Sequence, residues 1–565
     1  MRGAQPPPRP AGLWWRGYRR AWLRGDLVAG LTVWAVLVPE GLAYASIAGV
    51  PPVVGLYAAV PALVLYAFVG SSRHLVVGPM SATAALSASS VGVFAAGGSP
   101  KFVALTAALA LVTGLAGVVA ALLRLGILAN VISAPVLKGF IVGLALTIIA
   151  GQLPALFGVP KGGGDFFQQI AALLRHLADT NVQALTVGLV SLAIVLGLKV
   201  WLPVVPGSLV AALAGVVAVA VLHLDREGVA IVGPIESGLP HVGLPGGLAA
   251  TDYLDLGGPA VGLLLVGFAE GLGAAKTYAV THGYEVTANR ELAGLGAANL
   301  GAGLASGMVV NGSLSKTAVN GGAGARTQLS GLIVAGLTVV TLLFLTSLFE
   351  RLPEATLAAI VIAAVVELVD IGSLRRLYRV YSHRLGSIYG FAARADFSAA
   401  IAAMLGVLVF GTLPGLAIGI GLSLLLLLYR ASRPHVATLG RLDGSWVDTN
   451  RSPAARTERG IAVVRVESGL FFANADFVRQ RLRDAARTGV RAVVLDAETI
   501  PFIDVTGAQM LAELRTQLGA EGVTLVIARD IGQVRDVLRH TGEATSTEQV
   551  YPTLDTAVDA VRGSA

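Results

Sequence analysis

The chain has 565 residues, of which 55% are hydrophobic and only 13% are charged, and its mean hydropathy is +0.74. This composition excludes a soluble protein of several domains and predicts a polytopic membrane protein. The chain has no cysteine, which excludes disulfides and thiolate metal sites, and its net charge of +7 is spread over membrane edges, so nucleic acid is not an expected partner.

Residues 1–26 are predicted to form a cytoplasmic, amphipathic N-terminus. Arginine occurs repeatedly before Asp26 and no acidic residue does, which the positive-inside rule assigns to the cytoplasm. Trp14, Trp15 and Trp22 lie among these arginines, a mixture typical of a helix at the membrane interface. No cleavable signal peptide is expected, because this stretch lacks a short apolar core followed by a small-residue cleavage site.

The transmembrane domain is predicted at residues 27–432, with fourteen apolar segments of about the length that a bilayer requires. The first seven are predicted near 27–46, 54–70, 79–95, 103–123, 127–150, 182–202 and 206–223. The second seven are predicted near 257–278, 292–307, 314–325, 328–349, 355–370, 396–411 and 414–430. Because seven is an odd number, the second group runs in the opposite sense to the first, which makes a 7+7 inverted repeat.

The third segment of each group begins with a short polar break in the apolar sequence. These breaks are Val77–Thr83 and Asn311–Thr317. Inside a bilayer, irregular backbone persists only where protein or a water-filled cavity satisfies its N–H and C=O groups, so the two breaks predict a transport site.

Two features of the breaks favour an anionic substrate. Each break precedes a helix N-terminus, which carries roughly half a positive charge. Lys316 adds a full charge in a span where an unpaired lysine costs about 2.5 to 3.5 kcal/mol. The alternative is an internal salt bridge from Lys316 to Glu40 or Glu270.

No catalytic or metal-binding pattern occurs among the histidines, so neither an enzyme nor a cofactor is expected.

After Arg433 the composition becomes that of a soluble domain. We predict a polar linker at 433–458 and a small cytoplasmic α/β domain at 459–565. Its strands are predicted at Ile461–Val466, Ala492–Leu495 and Val523–Ile527, and its helices at Ala475–Arg487, Thr506–Leu518 and Gly532–Arg539.

Two signatures carry a resemblance to a known family. The first comprises Pro39–Ala45, Ala48–Pro52 and Gly70–Arg73, and the second comprises Gly283–Tyr284 with Asn289–Leu292. The sequence resembles the SulP family of anion permeases, solute carrier family 26, with a C-terminal STAS domain.

The resemblance implies a core domain, made of helices one to four and eight to eleven, that moves against a gate domain made of the other six. It further implies an anion bound between the third and tenth helices, a homodimer and the bacterial inner (plasma) membrane. The substrate-binding residues that we predict are Tyr44, Met80, Ser81, Ser313, Leu314, Ser315, Lys316 and Thr317.

Two acidic residues are predicted to couple transport to protons. Glu40 stands where the family usually has glutamine, and an ionised carboxylate beside an anion is repulsive, so protonation would accompany anion binding. Glu270 corresponds to an acidic family position that takes a proton or helps to hold a cation. A fixed ion pair with Lys316 is the structural alternative for both residues.

Several functions remain open at this point, with proton-coupled transport of a small oxyanion, sulfate first, as the leading hypothesis. Sodium- or proton-coupled transport of bicarbonate or a dicarboxylate is the closest alternative, although Ala274, one turn after Glu270, offers no hydroxyl for sodium. A membrane-bound signalling protein that uses the STAS domain as its output is the alternative from another class. The sequence argues against this alternative, because Val505 stands where antagonists of bacterial anti-sigma factors have a phosphorylatable serine, and valine cannot accept phosphate.

Overall fold

The computed structural model describes residues 18–127, 133–162, 164–202, 205–366, 390–487, 489–540 and 550–563, with four single positions besides. The chain divides into two compact units, Met1–Ser423 and Leu424–Ala565. Most of the predicted interfacial helix before Tyr18 lies outside the described residues. The same holds for the end of the twelfth predicted span, with Glu367 and Asp370.

The first unit is helical, and its last helix continues into the second unit. A short 3-10 helix, Arg20–Trp22, leads into the first of its helices. These are α1 Leu23–Ala48, α2 Val53–Val69, α3 Ser81–Val91, α4 Pro100–Leu122, α5 Ala134–Phe157, α6 Phe166–Arg175, α7 Val182–Trp201, α8 Gly207–Leu222, α9 Ala250–Asp255, α10 Gly257–His282, α11 Ala288–Leu304, α12 Leu314–Gly322, α13 Leu329–Val340, α14 Glu354–Val366, α15 Gly390–Phe410 and α16 Thr412–Ser432.

Within the described residues, seven helical segments are long and apolar enough to cross a membrane, and four apolar helices of 10–17 residues accompany them. The helices that follow the two breaks, α3 and α12, are short, with 11 and 9 residues. The number of fourteen transmembrane segments stays a prediction.

The helices pack in two groups. Helices α1 to α4 pack with α10 to α13, whereas α5, α7, α8, α14 and α15 pack mainly with one another. The first group has the membership expected of the core, and the second contains five of the six helices expected of the gate. Helix α1 belongs to the first group and also touches α8 and α14 of the second.

Glycine allows the closest contact in the first group, between α4 and α11. A Cβ atom on Gly296 would lie 2.7 Å from the amide nitrogen of Val118 and 3.0 Å from the carbonyl oxygen of Gly114. Small residues let two helix backbones approach in this way when lipid gives no hydrophobic driving force between them.

The two breaks form a pair of short strands, β1 Val76–Gly78 and β2 Asn311–Ser313. They pair antiparallel, with Val76 opposite Ser313 and Gly78 opposite Asn311. The pairing satisfies backbone groups that irregular structure at membrane depth would leave without partners. Asn299 holds the chain that enters β2, because its side chain exchanges two hydrogen bonds of 2.9 Å with the backbone of Val310.

The second unit contains a six-stranded sheet in the order β4-β3-β5-β6-β7-β8. Its strands are β3 Val436–Leu442, β4 Ser445–Asp448, β5 Ile461–Val466, β6 Ala492–Asp496, β7 Thr524–Ala528 and β8 Val550–Tyr551, and its helices are α17 Ala475–Ala485, α18 Val505–Ala520, α19 Gly532–His540 and α20 Leu554–Gly563. Strands β5 to β8 are parallel, whereas β3 is antiparallel to both of its neighbours. Apolar clusters cover both faces of the sheet.

The predicted linker at 433–458 is not free of structure. Strands β3 and β4 lie in this segment, and β3 pairs with β5 over four residue positions. The sequence did not indicate β3, because this segment is polar and rich in turn residues. Ala437 and Leu439, two positions apart, are nevertheless buried in the sheet.

Candidate functional site

Lys316 is the centre of the candidate site. Its side chain is 1% exposed, and its ammonium nitrogen lies 2.8 Å from Oε2 of Glu40. It also donates a hydrogen bond of 3.2 Å to the carbonyl oxygen of Pro79 and lies 4.8 Å from the ring centroid of Tyr44. One cation therefore joins α1, the start of α3 and the first turn of α12.

Glu40 and Tyr44 lie one turn apart on the same face of α1. The Tyr44 hydroxyl donates a hydrogen bond of 3.2 Å to Oε2 of Glu40, the oxygen that also contacts Lys316. Both side chains are buried. A buried ion pair recovers its desolvation cost only when hydrogen bonds of this kind accompany it, and the loss of one partner leaves an uncompensated charge.

The first turn of α12 has a buried side and an accessible side. Lys316 and Thr317 are buried, whereas Leu314 is 56% exposed and Ser315 is exposed. Ser313 caps the helix, because its hydroxyl oxygen accepts a hydrogen bond from the Lys316 amide at 3.3 Å and contacts the Ser315 hydroxyl at 3.2 Å. The accessible side thus offers a hydroxyl beside a helix N-terminus.

Thr317 has a structural role, because its hydroxyl group links α12 to β1. Its hydroxyl donates to the carbonyl oxygen of Ser313 and accepts a hydrogen bond of 3.1 Å from the amide of Val76. It therefore ties α12 to β1, and its contact with substrate stays a prediction.

The other predicted contacts lie at the start of α3. Met80 takes the N-cap position in extended conformation and is half-buried, and Ser81, the first residue of the helix, is buried. The side chain of Lys316 extends from the first turn of α12 and donates a hydrogen bond to the Pro79 carbonyl, so the N-termini of α3 and α12 lie one side-chain length apart. Two partial positive charges and one ammonium group therefore converge, which is an electrostatic setting for an anion.

Glu270 does not pair with Lys316. It lies on α10, and its Oε2 is buried without a hydrogen-bond partner among the described residues. The ion pair considered for Lys316 is thus made with Glu40, and the Glu270 carboxyl is left for another partner.

The predicted site residues did not include Asn311 or the carbonyl group of Pro79, although both lie within the two breaks. Asn311 is 1% exposed, and its Nδ2 has no hydrogen-bond partner in the part of the chain that the structure describes. The amide group lies close to α10, since a Cβ atom on Gly267 would be 3.0 Å from its Cγ. An asparagine directly after the apolar run Met308–Val310 was the available signal. The Pro79 carbonyl had no signal, because its role depends on how the two breaks meet.

Comparisons with known proteins identify the family of the chain. Residues 23–389 match the profile of the Sulfate permease family, and residues 452–557 match that of the STAS domain. The chain belongs to the sulfate permease family. It is 37% identical over 560 residues to a probable sulfate transporter of Mycobacterium tuberculosis, with 98% of each chain covered. It is also 32% identical to the chloroplastic sulfate transporter 4.1 of Arabidopsis thaliana, with 94% of this chain and 79% of the relative covered.

Solved structures share the fold. The chain superposes on murine solute carrier 26 family member A9, described as an anion transporter in the inward-facing state, with a TM-score of 0.87 at 23% identity, covering 97% of this chain and 93% of the other. The transmembrane domain of a cyanobacterial bicarbonate transporter gives a TM-score of 0.61 at 24% identity, covering 72% of this chain and 99% of that one. The protein is therefore a multi-pass membrane transporter of the anion-carrying class with a C-terminal STAS domain, and it is not an enzyme.

Proposed function

We propose that this permease carries a small inorganic oxyanion, sulfate first, together with a proton, by alternating access between its two helix groups. The observation that carries the proposal is the buried contact between Lys316 and Glu40 at the meeting point of two helix N-termini. Sulfate is placed first because relatives over nearly the whole chain are named sulfate transporters.

The ion pair suggests how anion and proton are linked. An anion that binds at the Lys316 ammonium competes with the Glu40 carboxylate for the same charge. A proton on Glu40 removes the competing charge, and the neutral acid still hydrogen-bonds with Tyr44. Anion and proton therefore favour each other's binding, which is the thermodynamic requirement for symport.

The movement that follows involves α1. This helix carries Glu40 in the core group and touches α8 and α14 of the gate group. A change in the contact between Glu40 and Lys316 thus acts on a helix that lies at the boundary that alternating access must rearrange. We further propose a homodimer in the bacterial inner membrane, with the N-terminus and the STAS domain in the cytoplasm.

One observation favours a second candidate, cation-coupled transport of bicarbonate or a dicarboxylate. The buried Oε2 of Glu270 has no partner among the described residues, so it can take a proton or contribute to a cation site. Ala274 contributes no oxygen one turn on, which is why this candidate stands second.

Purified protein in liposomes, tested with a panel of labelled anions at two external pH values and with or without sodium, separates the candidates. The proposal predicts sulfate uptake that rises with an inward proton gradient and does not depend on sodium. Uptake of bicarbonate alone, with a strict requirement for sodium, would overturn it.

A further inference from the structure

A cavity of about 440 Å³ lies apart from the transport site, where the N-terminal end of α1 meets the chain that leaves α12. Arg24 and Arg326 contribute its charge, and Trp22 and Val28 contribute apolar surface. Glycine and alanine make up the rest of its lining. A Cβ atom on Gly25 would lie 2.5 Å from the carbonyl oxygen of Gly324, so the two segments touch through their backbones.

The two arginine side chains are available to a ligand. Both are exposed, and neither forms an ion pair with any residue that the structure describes. Asp26, the acidic residue on this turn of α1, is fully buried. Its oxygens accept hydrogen bonds from the amides of Arg326 and Thr327, at 2.7 and 3.0 Å, and from the Thr327 hydroxyl at 2.7 Å. The carboxylate thereby fixes the backbone of Arg326 beside α1.

An apolar stripe continues from the cavity along α1. Leu27, Val28 and Leu31 are 43%, 47% and 45% exposed, and they follow Arg24 at spacings of three, four and seven residues. Residues at these spacings share one face of a helix. In a membrane protein, an exposed apolar face of this kind is covered by lipid tails.

We propose that this cavity binds the phosphate-bearing headgroup of an anionic phospholipid, with an acyl chain along the stripe of α1. Arginine suits this ligand because its planar guanidinium group binds phosphate oxygens in pairs, and basic pockets between membrane helices hold anionic headgroups. The stripe favours a lipid over free phosphate, which would not need it. Such a lipid clamps α1, which carries Glu40, to the end of α12, which carries Lys316.

The test measures the melting temperature of the purified, full-length protein in detergent with three additions: phosphatidylglycerol, phosphatidylcholine and inorganic phosphate. We expect phosphatidylglycerol alone to raise the melting temperature. Replacement of both Arg24→Gln and Arg326→Gln is expected to remove at least half of that rise. Arg20→Gln, a matched charge change next to the cavity but outside its lining, is expected to keep it.

Two further variants cover the case in which the double substitution prevents folding. Arg24→Lys with Arg326→Lys retains the charges and is expected to keep most of the rise, whereas Ala21→Phe fills the cavity without a charge change and is expected to reduce it. A rise that persists in the double glutamine variant or in folded Ala21→Phe would overturn the proposal. An equal rise with inorganic phosphate would also overturn it, because the ligand would then be a free anion.

Discussion

Lys316 is held by three contacts of different kinds. The Glu40 carboxylate supplies the opposite charge, the Pro79 carbonyl supplies a neutral acceptor, and the Tyr44 ring supplies a π face. Only the first contact competes directly with an incoming anion. Breaking a buried ion pair by removing one partner costs about 3 to 5 kcal/mol, because the remaining charge is buried without compensation.

Lys316→Ala is expected to weaken sulfate binding at least tenfold, about 1.4 kcal/mol, because the full positive charge at the site is lost. Lys316→Arg is expected to retain much of the affinity. Calorimetric titration of folded protein measures both. Lys276→Ala, the same change at an exposed lysine on α10, serves as the control.

Loss of Lys316 also leaves the Glu40 carboxylate buried without its cation, so the single variant is expected to be less stable. The double variant Lys316→Ala with Glu40→Gln removes this complication. Sulfate affinity equal to that of the wild type in the folded double variant would show that the charge of Lys316 does not hold the anion.

The sequence was sufficient to place Lys316 in a broken helix, because the break and the cost of a charge in lipid are local properties. It was not sufficient to choose between Glu40 and Glu270 as its partner. That choice depends on which faces of α1 and α10 turn toward α12, and helix rotation is decided by packing across the whole unit.

At the scale of elements, the contact between α4 and α11 shows how the core group is held together. Gly114 and Gly296 have no side chains, so the two helix backbones can approach each other closely. The third predicted segments of the two halves were recognisable from Gly78-Pro79 and Asn311-Gly312, since these pairs interrupt an apolar helix. That the interruptions pair as β1 and β2 was not predicted, because strands of three residues carry no periodic pattern.

Gly296→Ala tests this contact directly. The added methyl group meets the backbone of Val118, which cannot rotate away, so we expect a loss of about 1 to 3 kcal/mol in stability and a lower melting temperature. Gly273→Ala is the matched control on α10, where a Cβ atom meets nothing within 4 Å. It is expected to be neutral or slightly stabilising. Equal melting temperatures for the two variants would contradict the close contact.

At the scale of the whole molecule, each of the two units has its own apolar core. In the second unit, Ala437 and Leu439 of β3 belong to the cluster that covers one face of the sheet. The composition change after Arg433 was enough to predict a separate α/β domain. The start of its sheet was not predicted, because β3 and β4 lie in a segment that reads as polar.

Two fragments test where this domain starts. A fragment of residues 434–565 is expected to unfold cooperatively, whereas one of residues 459–565 lacks β3 and exposes the edge of β5. An exposed strand edge promotes aggregation. Chemical denaturation of both fragments, followed by circular dichroism, measures the difference. If the shorter fragment is as stable as the longer one, β3 is dispensable to the domain.

The central claim is that Glu40 links anion transport to protons through its contact with Lys316. Glu40→Gln keeps the size and hydrogen-bonding capacity of the side chain but removes its titration, so sulfate should still bind and exchange across the membrane. The deciding measurement is uptake into liposomes with and without an inward proton gradient, alongside equilibrium exchange of labelled sulfate. We predict that exchange persists in the variant while gradient-driven accumulation is lost. Accumulation equal to that of the wild type would contradict the claim, and Glu270 would then be the next candidate for the proton.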